Sequence, residues 1–149
     1  MEPRKILLAE DDPRDVELML AAWQEHNLAN EVVVARDGVE ALDYLYRRGR
    51  YAGRPEGSPM VVFLDLKMPK VDGLDVLRLV KSDPGLRHVP VVVLTSSRED
   101  QDLVESYRLG VNAYVVKPVD FDKFIETVRH LGLFWVLVNQ PPPATPAVK

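Results

Sequence analysis

Five polar side chains stand directly after short apolar runs: Glu10 and Asp11 after Arg4–Ala9, Asp65 after Val61–Leu64, Thr95 after Val89–Leu94, and Lys117 after Asn112–Val116. A buried parallel strand delivers a side chain in this way. The functional crevice of an open α/β sheet lies outside the carboxyl ends of its strands, so these residues would share one rim. Taken singly each is ordinary: acids at strand ends are common, a threonine after a strand caps, and a lysine before proline is solvated. Four such deliveries in chain order point to chemistry, with Asp65 as its first candidate.

Glu10, Asp11 and Asp65 in one crevice would repel one another by about 1 to 4 kcal/mol per pair at roughly 4 Å, depending on the local dielectric. Either one of them is protonated or a cation resolves the conflict. Oxygen donors with no histidine or cysteine nearby favour a hard ion, and Mg2+ takes one or two carboxylates while keeping several waters. A carboxylate beside such an ion is a nucleophile toward a phosphoryl group. Lys117 could then neutralise one phosphoryl oxygen while the Thr95 hydroxyl donates to another. The set suits phosphoryl transfer.

The elements that must position these residues are legible from the hydrophobic period. After Pro13, a good first helical residue, Val16, Met19, Leu20 and Trp23 form a stripe that should face a sheet. Val32–Val34 read as a second strand. Asp37-Gly38 opens a helix with Val39, Leu42 and Leu45 inward. Arg50–Pro59, rich in glycine and proline, reads as a tolerated surface insertion. Leu74, Leu77 and Val80 mark a helix after Asp65, Leu103, Val104 and Tyr107 another after Thr95, and Phe121, Phe124, Ile125, Val128 and Leu131 a last one. From Leu133 to Val138 that helix turns apolar all round and needs a partner surface. Five strands alternating with five helices predict an α/β, doubly wound parallel sheet.

With 149 residues, 46% of them hydrophobic, the chain is long enough to bury roughly 70% of its unfolded surface in one core. The expected organisation is one domain over residues 1–138 and a proline-rich tail over 139–149. The chain has no cysteine, which excludes disulfides and thiol chemistry. A net charge of -4 offers no footprint for nucleic acid. With no basic-then-apolar leader and no membrane-length apolar run, a cytoplasmic protein is expected.

The residues so assembled resemble a response-regulator receiver domain, the phosphoacceptor half of two-component signalling, from about Arg4 to Leu131. The resemblance implies a flavodoxin-like (βα)5 fold with strand order 2-1-3-4-5, and it places the acid pair on Glu10 and Asp11, the phosphoacceptor on Asp65, the switch hydroxyl on Thr95, the lysine on Lys117 and the switch aromatic on Tyr114. It also implies a metal ligand from the main-chain carbonyl of Lys67, a cis Lys117-Pro118 bond, and Mg2+ as cofactor. Lys67 would influence the access of hydrolytic water. Asp12 is extra and reads as polar rim.

The stretches EDDPRDVELML, GVEALDYL, DLKMPKVDGL, VVVLTSSREDQD, VKPVDF and LGLFWVLVNQPPP resemble the short regulators that serve phytochrome-type sensor histidine kinases. That implies such a kinase as partner and a homodimer through the C-terminal helix and tail face. With a receiver filling the chain to its last helix, no DNA-binding output domain is expected and output runs through contacts. Two rival readings exist. Phosphatases of the haloacid dehalogenase type need a second acid where Lys67 stands, and a receiver used only as an unphosphorylated interaction module would lack residues that are present here. A flavin site would need a phosphate cradle where Glu10, Asp11 and Asp12 repel phosphate. His26, His88 and His130 lack metal-ligand spacing.

Overall fold

A computed structural model describes residues 4–96, 99–117 and 120–128. Its strands β1 (Ile6–Ala9), β2 (Val32–Ala35), β3 (Val62–Leu64), β4 (Val91–Thr95) and β5 (Ala113–Val116) form one parallel sheet in the order β2-β1-β3-β4-β5. The helices are α1 (Pro13–Glu25), α2 (Gly38–Tyr46), α3 (Gly73–Ser82), α4 (Asp100–Arg108) and α5 (Phe121–Val128). The expected fold and strand order are therefore present. The Lys117-Pro118 bond, the Leu133–Val138 face and the tail lie outside the described residues.

The three inner strands are apolar except for Thr95 at the end of β4, because helices cover both faces of the sheet. Ile6, Leu8, Phe63, Val92 and Leu94 share one core with residues of α1 and α5, while Leu7, Ala9, Val62, Leu64, Val91 and Val93 share the other with α2 and α3. Phe63, on the central strand, is fully buried and meets Trp23 of α1 and Phe124 of α5 edge to face at 6.2 and 5.4 Å. The Trp23 indole N–H donates to the Asn30 carbonyl at 2.9 Å, so the polar end of the ring is satisfied inside the core.

Several inward assignments need correction. Leu20 lies on the solvent side of α1, where Ala22 fills the arc facing the sheet instead. Val39 is also exposed. A Cβ on Gly38 would overlap Val71, so α2 meets the loop before α3 through bare backbone and turns Val39 outward. In α4 the polarity is inverted. Leu103, Val104 and Tyr107 are exposed, while Asp102 and Ser106 are buried, and the Ser106 hydroxyl has no hydrogen-bond partner among the described residues.

Arg50–Pro59 is not a free insertion. The Arg54 guanidinium donates to the carbonyls of Tyr44, Leu45, Pro55 and Gly57 and lies 4.3 Å from the Tyr44 ring centre. Arg4 donates to the carbonyls of Ser58 and Pro59. A cavity of about 740 Å³ opens beside this loop at the amino ends of the strands, but of the three guanidinium groups lining it Arg4 and Arg54 are engaged by main-chain oxygens and Arg50 by the Tyr51 hydroxyl.

Gly73 sets how closely α3 approaches the end of β3. Its N–H donates to the Leu66 carbonyl at 2.8 Å, and a Cβ there would overlap the Asp65 carbonyl oxygen. Gly73→Ala should cost about 1 to 3 kcal/mol through overpacking, read as a lower urea midpoint at unchanged slope.

Candidate functional site

The register of the sheet brings the chosen residues together. Asp65 follows β3, and its N–H donates to the Ala9 carbonyl at 3.0 Å, so it stands beside Glu10 at the end of β1. Glu10 in turn donates its N–H to Ala35 at 2.9 Å. Oxygens of Glu10, Asp11 and Asp65 lie within 4.8 Å of one another. Glu10 and Asp65 are buried while Asp11 is exposed, so the cluster has a wet side.

One ammonium closes this cluster. Lys117 Nζ lies 2.7 Å from Glu10 Oε1, 2.7 Å from Asp15 Oδ2 and 3.2 Å from Asp65 Oδ2. An ammonium has three N–H donors and no acceptor, so three carboxylates match its capacity. The main-chain N–H of Lys117 donates to the Thr95 carbonyl at 2.8 Å, which ties the lysine to the end of β4.

Thr95 is fully buried as the last residue of β4. Val93 pairs with Tyr114, and side chains alternate along a strand, so Thr95 and Tyr114 share a face of the sheet. Tyr114 is half-buried there against the core under α2 and α3. Lys67 donates its N–H to Asp65 Oδ1 at 3.1 Å, and its own ammonium points to α4, 3.4 Å from Asp102 Oδ2. Lys70, in the left-handed region at φ 68, reaches Asp37 at 3.2 Å. The loop after the strand-end aspartate is thus tied to α2 and to α4.

Two residues carry more than the sequence suggested. Asp12 is the N-cap of α1, accepting from the Arg14 N–H at 2.9 Å, and its own N–H donates to Glu10 Oε2 at 3.2 Å. Asp15 belongs to the crevice, although an acid in the first turn of a helix reads as a complement to the helix dipole. The signal that could have found it is its position four residues after Asp11, on the helix that Asp12 caps against the rim.

Burial pushes the Glu10 carboxyl up, against its hydrogen bond to Lys117, and the Asp65 charge adds to the rise, which reaches about 8. Burial alone would lower Lys117, but hydrogen bonds to Asp15 and Glu10 and the Asp65 charge hold it above its usual value. With Asp11 beside the three acids that meet Lys117, the crevice holds four acidic groups to one ammonium. An oxygen-only donor set of this kind fits a hard divalent cation.

A doubly wound parallel sheet with an acid-and-lysine crevice at its strand ends defines a receiver-type signalling module. The chain belongs to the response regulator receiver domain family, whose profile matches residues 6–129. The bacteriophytochrome response regulator AtBRR, of known structure, is 64% identical, with 94% of this chain and 100% of that one covered and a TM-score of 0.81. Response regulator Rcp1 of Synechocystis sp. is 36% identical over 134 residues, 90% of each chain. The Mn2+-bound structure of Rcp1 aligns at 35% identity over 94% of this chain and 99% of its own, with a TM-score of 0.78. The phosphorylated cyanobacterial phytochrome response regulator RcpA is 40% identical over 90% of this chain and 94% of its own, with a TM-score of 0.77.

The protein is accordingly a two-component response regulator similar to those of phytochromes, and the phosphatase and pure interaction-module readings are not favoured. Its family is one of signalling receivers rather than catalytic enzymes. Receiver domains of phytochrome response regulators interact with histidine kinases. No helix among the described residues is long and apolar enough to cross a membrane.

The raised Glu10 carboxyl has a thermodynamic signature. Between the ordinary value of 4.5 and about 8 the folded state binds more protons than the unfolded one. The Glu10 contribution to stability is therefore full below that window and is lost as pH rises through it. Thermal melts of metal-free protein should show this decline. Glu10→Gln should flatten it, and a saturating divalent cation should offset it by stabilising the ionised carboxylate.

Proposed function

We propose that Asp65 accepts a phosphoryl group from the phosphohistidine of a sensor kinase, one of phytochrome type. The observation that carries this reading is the meeting of Lys117 Nζ with Asp65, Glu10 and Asp15 inside a crevice whose acids outnumber its cations. An Asp65 oxygen attacks phosphorus, the P–N bond breaks, and the imidazole leaves with the electron pair, to be protonated by solvent. Asp65 Oδ1 is held by the Lys67 N–H, which leaves Oδ2, the oxygen facing Lys117, as the attacking atom. The Lys117 ammonium then neutralises one oxygen of the transferred group, and the Thr95 hydroxyl donates to another.

The metal site in this reading comprises Glu10, Asp11, Asp65 and the Lys67 carbonyl. These residues would hold Mg2+, which would supply positive charge to offset that of the phosphoryl oxygens. Support comes from the oxygen donor set and from Rcp1, whose structure is Mn2+-bound.

Output passes through a conformational change and protein contacts from a cytoplasmic receiver domain spanning residues 1–138, with 139–149 as its tail. Homodimerisation uses the C-terminal helix and tail face, and no nucleic acid is engaged. The exposed Leu103, Val104 and Tyr107 of α4 are available for such contacts. A hydrogen bond to a charged acceptor is worth about 1.5 to 3 kcal/mol, whereas a full swing between two states takes about 5.5 kcal/mol. Thr95 alone does not supply that; Thr95 together with Lys117, or with a dimer contact stabilised by Tyr114 turning inward, approaches it.

Two measurements check this reading. With Mg2+ and acetyl phosphate, wild type should gain the mass of one phosphoryl group, while Asp65→Asn, or wild type with excess chelator, should gain none. Thr95→Ala should still take up phosphate. Its phosphorylation-dependent shift in oligomeric state, followed by sedimentation, should weaken by about 10- to 150-fold, the equivalent of that one bond. A Thr95→Ala protein that shifts like wild type would refute the coupling.

A further inference from the structure

Asp15 differs from the other acids around Lys117. Glu10 and Asp65 are each proposed to turn part of their charge to another partner during the reaction, Glu10 to the metal and Asp65 to phosphorus. Asp15 does not belong to the cluster of oxygens able to share a cation. It comes from the first turn of α1 rather than from a strand end. That turn is fixed on both sides, by the Asp12 cap before it and by Val16 and Met19, which lie in the core after it. From this rigid base Asp15 Oδ2 reaches Lys117 Nζ at 2.7 Å, closer than the 3.2 Å of Asp65. Lys117 itself sits on a flexible stem at the end of β5.

We propose that Asp15 is a positioning residue for phosphoryl transfer, holding the Lys117 ammonium over Asp65 while Glu10 and Asp65 exchange their partners. Its carboxylate is not among the oxygens that could share the metal and pairs with Lys117, so the role assigned to it is exerted through Lys117. This inference rests on Asp65 being the phosphoacceptor.

Two readouts test it in the full chain. The first is the rate of phosphoryl uptake from acetyl phosphate at saturating Mg2+, compared for wild type, Asp15→Asn, Lys117→Ala and the double variant. The near-isosteric Asp15→Asn should lower the rate about tenfold in the wild-type background, and by less than about twofold when Lys117 is already alanine, as expected for residues that act as a unit. An equal loss in both backgrounds, or no loss in either, would overturn the proposal. The second is the lysine ε-carbon and ζ-nitrogen NMR signal of Lys117 in metal-free, unphosphorylated protein. It should be distinct from solvated lysines in wild type and shift toward them in Asp15→Asn, whereas an unchanged signal would show that Asp15 does not hold the ammonium. Failure of the underlying reading looks different: wild type would then take up no phosphate, or Asp65→Asn would take it up as well.

Discussion

A protonated lysine surrounded by carboxylates is the constraint on which this structure turns. Burying Glu10 and Asp65 side by side is unfavourable unless a cation stands between them, and Lys117 is the cation the chain provides. To place it there, β5 must end beside β4, β3 beside β1, and α1 must begin at the rim. The five-stranded order with β3 at its centre meets all three demands. The excess of acids over cations in the resting crevice is also what makes it responsive, because a cation or a phosphoryl group redistributes partners that are already in contact.

The loop after Asp65 carries that redistribution outward. Lys67 spans from the Asp65 carboxylate, bonded to its N–H, to Asp102 on α4, bonded to its ammonium. Lys70, further along the same loop, pairs through its ammonium with Asp37, the cap of α2. Burial pushes the Asp37 carboxyl up, but the Glu40 N–H and the Lys70 ammonium outweigh it and hold the carboxyl below its usual value. Gly73 allows the backbone of α3 to close against Asp65 itself. Three helices therefore have a mechanical connection to one strand end.

The parallel α/β sheet and the meeting of Glu10, Asp11, Asp65 and Lys117 were legible because both follow from one pattern, an apolar run ending in a polar side chain; the strand order was implied by the family resemblance alone. What escaped notice depended on angles rather than period. Leu20 and Val39 sit at helical spacing with core residues, yet Ala22 takes the buried arc of α1 in place of Leu20 and the glycine contact of α2 turns Val39 to solvent. Arg54 looked like one more polar residue in a glycine-rich loop, since no local pattern announces that a guanidinium will collect four main-chain carbonyls. Asp15 was hidden for a related reason: its partner lies 102 residues away, and only the closed sheet brings them together.

The inverted polarity of α4 has a thermodynamic corollary. A helix docked by hydrocarbon loses that stabilisation when it lifts from the body, by about 25 cal/mol for each Å² re-exposed to water. Among the described residues α4 inserts Asp102 and Ser106 instead, the latter with its hydroxyl unmet. Detachment would hydrate that hydroxyl and wet little oil. Such an element is a low-threshold lever, able to ride up or rotate at a cost comparable to a hydrogen bond or two, while α1, anchored by Trp23 and Met19, stays seated as the fulcrum.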